Sequence, residues 1–179
     1  MKTIHVIIDP QNDFIDDQVN NPSLAVTGAL NNMVNIAHVL KNDKFDEVLI
    51  TLDTHTVLDI AHTSWWRDNQ GKEINPFTMI SSVDILSGKY VSADPEMKEY
   101  SLNYTRALEK AGNYTHFVWT NHCIVGTKGH EIHDVIKNAI NEINIPVTYL
   151  NKGMNIKTEH YSAFKAEVPL AEDKGTELD

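Results

Sequence analysis

Asp9, Asp53, His55, His122 and Lys152 all stand at or just beyond the end of a strand-like run. The run Thr3–Ile8 ends at Asp9. Glu47–Leu52 leads into Asp53, with His55 two residues on. Tyr114–Trp119 precedes His122, and Pro146–Leu150 precedes Lys152. Open α/β sheets bind ligands outside the carboxyl ends of their parallel strands. If these runs share one parallel sheet, two acids, two imidazoles and an amine meet on one rim. That set of groups suits a hydrolytic site.

The densest local signal is Asp53-Thr54-His55 followed by His62. Alternate residues of an extended segment point the same way, so Asp53 and His55 can face one ion, with His62 returning from the next loop and His122 from its own. One carboxylate and three imidazoles suit Zn²⁺, Mn²⁺ or Fe²⁺ and do not choose among them. The competing explanation is ordinary polar loops. With nine histidines in the chain, some short-spaced pairs are inevitable, and spacing alone slightly favours the ordinary-loop explanation. Asp9 is a general-base candidate if burial raises its pKa, or a turn residue of Asp9-Pro10-Gln11-Asn12. Lys152 could hold Asp9 charged or help ionise a nucleophile, or be a solvated loop lysine.

The elements that must position these groups alternate between strand and helix. Ile4–Ile8 is nearly continuous and β-branched, the pattern of a strand buried on both faces of a parallel sheet. Behind Gly28, apolar residues Ala29, Leu30, Met33, Val34, Ala37 and Leu40 recur at helical steps. Ile132, Val135, Ile136, Ala139, Ile140 and Ile143 do the same. The expected fold is therefore α/β: a three-layer, mainly parallel sheet flanked by helices. Residues 1–179 read as a single domain with a loop-and-helix insertion at about 63–113. Within it, Asp94, Pro95 and Gly112 bracket a helix as cap, first position and stop. Thr176-Glu177-Leu178-Asp179 reads as a first helical turn, so the domain is expected to continue beyond the sequence given, with C-terminal strands missing.

Composition narrows the function classes. A net charge of −10 with no basic block argues against nucleic acid, which needs clustered Lys and Arg. No apolar stretch approaches the roughly 20 residues that span a bilayer. A single cysteine, Cys123, precludes an intrachain disulfide and fits a reducing cytoplasm.

Taken together, Val6-Ile7-Ile8-Asp9-Pro10-Gln11-Asn12-Asp13-Phe14, Thr51-Leu52-Asp53-Thr54-His55, Trp119-Thr120-Asn121-His122-Cys123-Ile124-Val125-Gly126-Thr127 and Lys152-Gly153 with Tyr161-Ser162-Ala163-Phe164 resemble the nicotinamidase branch of the isochorismatase-like cysteine hydrolases. The resemblance implies a C–N (amide) hydrolase of NAD salvage that converts nicotinamide to nicotinate and ammonia. Asp9 would be the acid/base and Lys152 its catalytic companion. Asp53, His55, His62 and His122 would hold one divalent metal, Zn, Mn or Fe, against the substrate's ring nitrogen. Phe14 and Trp119 would line the ring pocket.

Thr120 and Asn121 depart from the prolines of the family motif, and the stretch from His62 to His122 is longer than usual. The family's nucleophile is a cysteine at a helix start, on a later strand than the lysine segment. Cys123 instead lies beside a metal ligand and reads as a small buried residue. Three readings follow. One is a cysteine amidohydrolase acting on a small aromatic carboxamide. Another is a truncated, catalytically incompetent metal-binding fragment, or half of a split enzyme with a complementing C-terminal fragment. The third is hydrolysis by metal-bound water. The partners expected are a small amide substrate and a second copy of the chain or that fragment, with neither nucleic acid nor membrane.

Overall fold

A computed structural model describes residues 2–112 and 114–176. The strands are β1 (Ile4–Ile8), β2 (Glu47–Asp53), β3 (Trp66–Asp68), β4 (Thr78–Ile80), β5 (Tyr90–Ser92), β6 (His116–Val118) and β7 (Val147–Lys152). The α-helices are α1 (Ala29–Asn42), α2 (Ser82–Leu86), α3 (Lys98–Ala111) and α4 (Asp134–Glu142). The chain divides into two compact units. One comprises Met1–Thr54 and His122–Lys152, the other His55–Asn121 and Gly153–Asp179.

The first unit is a parallel sheet of order β1-β2-β7. Its core joins Ile7, Val48 and Ile50 of the sheet to Met33, Ala37 and Leu40 of α1 and to Ile136 and Ala139 of α4. Both helices were legible from their apolar period. Gly28, at φ 86°, adopts the left-handed conformation that opens α1. The expectation that β1 is buried on both faces is corrected. Ile4, Val6 and Ile8 are 48%, 50% and 70% exposed, while Ile7 is 2% exposed. A run of β-branched residues reports strand propensity on either face, and both helices of this unit pack on the face that carries Ile7.

The run Tyr114–Trp119 is also corrected: it does not join that sheet. Its strand, β6, pairs antiparallel with β4, and β3 pairs antiparallel with β5. In β6, His116 and Val118 are buried while Phe117 is only partly so, the alternation of a half-buried antiparallel strand. These pairs belong to the second unit, where α2 and α3 pack together and Ile60, Trp65, Trp66, Ile80, Tyr104, Leu108 and Val118 form the core. Asp94 accepts the Glu96 amide, Pro95–Met97 forms a 3₁₀ turn leading into α3, and Gly112 ends the helix at φ 72°. The cap at Asp94 and the stop at Gly112 were expected from the sequence; the 3₁₀ turn that separates Pro95 from α3 was not. A 3₁₀ turn covers Lys174–Thr176. The rest of the expected turn, residues 177–179, lies outside the described residues. Among the described residues no helix is long and apolar enough to cross a membrane.

Candidate functional site

In the first unit, Lys152 is the last residue of β7 and the register partner of Asp53, the last residue of β2. Register partners in a parallel sheet project to one face. Lys152 Nζ lies 3.2 Å from Asp53 Oδ1 and 2.9 Å from Asp9 Oδ2. Asp9 follows β1 directly and sits at φ 47°, a left-handed conformation that costs an L-residue energy and clusters at functional sites. Its Oδ1 accepts the Thr51 hydroxyl at 2.6 Å. Burial works against the Lys152 ammonium, but Asp53 and Asp9 more than offset it, so its pKa is raised. Lys152 is therefore a fixed positive charge between two carboxylates, not a proton acceptor.

His122 Nε2 lies 3.5 Å from Asp53 Oδ2. The Phe14 ring packs at 5.5 Å from the His122 ring. Cys123 follows at φ 47° and is buried. Burial, then Asp53, Asp13 and Asp9, push its thiol far above the ordinary range. A thiol held protonated and shielded from solvent is no nucleophile, in keeping with its reading as a small interior residue.

In the second unit, the His55 and His62 rings meet edge to face at 4.9 Å, and both residues are buried. His55 Nδ1 is 3.0 Å from Asp59 Oδ2. His62 Nδ1 donates to the Thr56 carbonyl at 3.2 Å. Anchoring Nδ1 in this way fixes the tautomer whose Nε2 carries the lone pair, the arrangement that orients metal-ligating histidines. Trp119 bridges to His62 in a parallel rung, and its Nε1 donates to Tyr161 Oη at 3.0 Å.

Asp9, Lys152, Asp53, His122 and Phe14 thus come together in the first unit, and His55, His62 and Trp119 in the second. Of the remaining histidines, His116 is an interior residue, with Nε2 donating to the Ile60 carbonyl at 3.0 Å. His133 is 3% exposed, accepts the Val135 amide as the cap of α4, and lies 3.2 Å from Asp17 Oδ2. Asp59, Gln11 and Asp13 were missed as site residues. The spacing of Asp59, four residues after His55, was the one signal available for it.

No family model and no curated protein sequence matches this chain. Solved structures do match. A nicotinamidase/pyrazinamidase of Acinetobacter baumanii aligns at 22% identity and a TM-score of 0.61, over 93% of this chain and 58% of that one. Yeast nicotinamidase Pnc1p, bound to the inhibitor nicotinaldehyde, aligns at 21% identity and a TM-score of 0.62, over 93% and 63% of the respective chains. PnC1 of L. infantum, in complex with nicotinate, aligns at 18% identity and a TM-score of 0.53. The fold is that of the nicotinamidases. The expected mainly parallel α/β architecture is borne out. The chain spans about three fifths of the length of the first two of these structures.

Proposed function

We propose that this chain carries the acid/base and metal-holding groups of a nicotinamidase-type amidohydrolase, whose substrate is a small aromatic carboxamide. The observation that carries the reading is the Asp9–Lys152–Asp53 ion network at the carboxyl ends of parallel strands, with Lys152 and Asp53 buried and Asp9 partly so. In that network Lys152 Nζ anchors the Asp9 carboxylate, and Asp9 is the group placed to pass a proton to the departing ammonia. Phe14 and Trp119 are the ring-lining residues of the proposal.

The donor chemistry fits a divalent ion. His55, His62 and His122 are buried and each offers one ring nitrogen, Asp53 adds a carboxylate, and Asp59 and the Thr56 carbonyl orient the first two imidazoles. Short stretches of chain link the donors: one residue separates Asp53 from His55, and His122 lies three residues beyond the rung between His62 and Trp119. Asp53, His55, His62 and His122 would hold Zn, Mn or Fe. When bound, such an ion anchors a ring nitrogen and polarises the substrate. The ligands bound to the fold relatives, nicotinaldehyde and nicotinate, support a pyridine ring as that substrate's core. Cys123 is not the nucleophile of this reading.

The test is metal content together with ammonia release from nicotinamide. Purified protein should carry close to one transition-metal ion per chain, and His55→Ala or His122→Ala should lose most of it. Folded, metal-supplemented protein without metal would overturn the ligand set. Ammonia release that depends on Cys123 would overturn the dismissal of that thiol. Release that is abolished by Asp9→Asn and survives Cys123→Ala would support the acid/base assignment.

A further inference from the structure

The segment between Asp9 and Phe14 does more than deliver its two ends. Gln11 is 0% exposed, and its amide reads the backbone of Asp53 from both sides. Nε2 donates to the Asp53 carbonyl at 2.7 Å, and Oε1 accepts the Asp53 amide at 2.7 Å. Nε2 also donates to the His130 carbonyl at 3.0 Å. A side-chain amide paired in this way substitutes for a neighbouring strand at the end of β2 and fixes the peptide from which the Asp53 carboxylate projects.

Asp13, two residues on, does the same for the other candidate ligand of this unit. Its Oδ2 accepts the Cys123 amide at 2.7 Å and its Oδ1 accepts the Ser23 amide at 3.0 Å. The Cys123 amide belongs to the peptide that joins it to His122, and Cys123 is one of the non-glycine residues at positive φ. A charged acceptor on that amide is a means of holding an otherwise costly backbone conformation. Gly129 completes the seat, since a Cβ there would fall 2.0 Å from Asp13 Oδ2. Asn12, between the two, donates its side-chain amide to the Lys128 carbonyl at 2.8 Å and its backbone amide to the Glu131 carbonyl at 3.0 Å, and neither acceptor belongs to a candidate ligand.

We propose that Gln11 and Asp13 are positioning residues, Gln11 setting the peptide of Asp53 and Asp13 setting the peptide of His122, so that one short loop orients the metal ligands of this unit while presenting Asp9. The inference rests on the metal reading above for its consequence, but not for its geometry. Outer-shell partners of metal ligands typically contribute about 10–100-fold in affinity.

The experiment compares Gln11→Met, Gly129→Ala and, as a control in the same loop, Asn12→Ala. Gly129→Ala displaces the Asp13 carboxylate without changing its charge. Two quantities are read: Zn²⁺ affinity by competition with a chromophoric chelator, and amide hydrogen exchange at Asp53 and Cys123 in metal-free protein. Gln11→Met should weaken Zn²⁺ binding by about 10–100-fold and speed exchange at least tenfold at Asp53 but not at Cys123. Gly129→Ala should weaken binding similarly, with the faster exchange at Cys123. Asn12→Ala should stay within twofold in affinity even where it lowers the melting temperature as much. Equal loss of affinity in Asn12→Ala, or affinities within twofold of wild type in the other two variants, would overturn the inference. If wild-type protein takes up no Zn²⁺, the metal reading fails by itself. The exchange pattern then still decides: selective loss of protection upholds the positioning role, and unchanged protection overturns it.

Discussion

Lys152 Nζ lies 2.9 Å from Asp9 Oδ2, with side chains 5% and 17% exposed. The same ammonium serves Asp53 at 3.2 Å. Removing one partner from such a network leaves charge stranded in a low-dielectric setting, typically at a cost of about 3–5 kcal/mol. Lys152→Met should therefore destabilise the protein by roughly 3 kcal/mol, the lower end of that range because Asp9 keeps some solvent. Lys152→Met combined with Asp9→Asn should recover part of the loss, because one unpaired charge has gone. Urea unfolding of the single and double variants measures both. A loss under about 1 kcal/mol in the single variant would mean that the network behaves as a surface ion pair.

The contact between Asp59 and His55 gives a second prediction. Asp59 is 0% exposed and lies 3.0 Å from His55 Nδ1. Asp59→Asn keeps the shape and removes the charge. If His55 ligates a metal, its affinity should fall about 10–100-fold, while the ion-to-protein ratio at saturation stays unchanged. Competition titration reads the first and elemental analysis the second. Unchanged affinity in a folded variant would remove His55 from the ligand set.

How much of this was legible in the sequence depends on how local each signal is. The placement of Asp9, Asp53 and Lys152 at strand ends was legible because those ends are visible as apolar runs, and the sheet register brings the three residues together. Helices α1 and α4 were legible because they keep their apolar period, and α3 because Asp94 and Pro95 precede it and Gly112 ends it, whereas the five-residue α2 was not read. The strands β3, β4 and β5 escaped because each is three residues long, too short for a period to show, while β6 was read as a strand but not its pairing, which is set by a distant partner. Gln11 and Asp13 escaped for another reason. Their partners, at Asp53 and Cys123, are 42 and 110 residues away, and a turn-forming sequence gives no hint of what a buried amide or carboxylate will accept.

Cys123 yields a third prediction. It is 0% exposed, and its pKa is raised by burial and by the surrounding carboxylates of Asp53, Asp13 and Asp9. A neutral thiol without access does not react with disulfide reagents. Native protein should show no fast reaction with an aromatic disulfide probe at neutral pH, and one thiol per chain should appear on unfolding. Cys123→Ala should leave metal content unchanged. Rapid modification of the native protein would contradict the buried, protonated assignment.

The exposed row Ile4, Val6 and Ile8 gives a fourth. β1 is an edge of its sheet, and an edge strand with an apolar face invites association. Sedimentation of the 179-residue chain should show concentration-dependent self-association, which Val6→Lys with Ile8→Lys should reduce. A monodisperse monomer at all concentrations would show that this row drives no assembly.

The last prediction concerns pH and rests on His116. Burial lowers its pKa from 6.5 to about 4, only partly countered by the hydrogen bond to the Ile60 carbonyl. The neutral ring is packed against Trp66 and Tyr104. In the unfolded chain the imidazole binds a proton near pH 6.5, whereas in the folded protein it resists until about pH 4. Between those values the unfolded state holds more protons, so stability rises with pH across the window. Above it both states are neutral and His116 contributes no slope. As pH falls through the window, the folded state loses up to about 3 kcal/mol from this group. His116→Leu removes the titration and also leaves the Ile60 carbonyl without its donor, at about 1 kcal/mol. The variant should therefore be less stable than wild type at neutral pH and should close or reverse that gap as pH approaches 4. Urea unfolding at several pH values gives the comparison. Parallel loss of stability in the two proteins across the window would show that His116 is not the group that titrates.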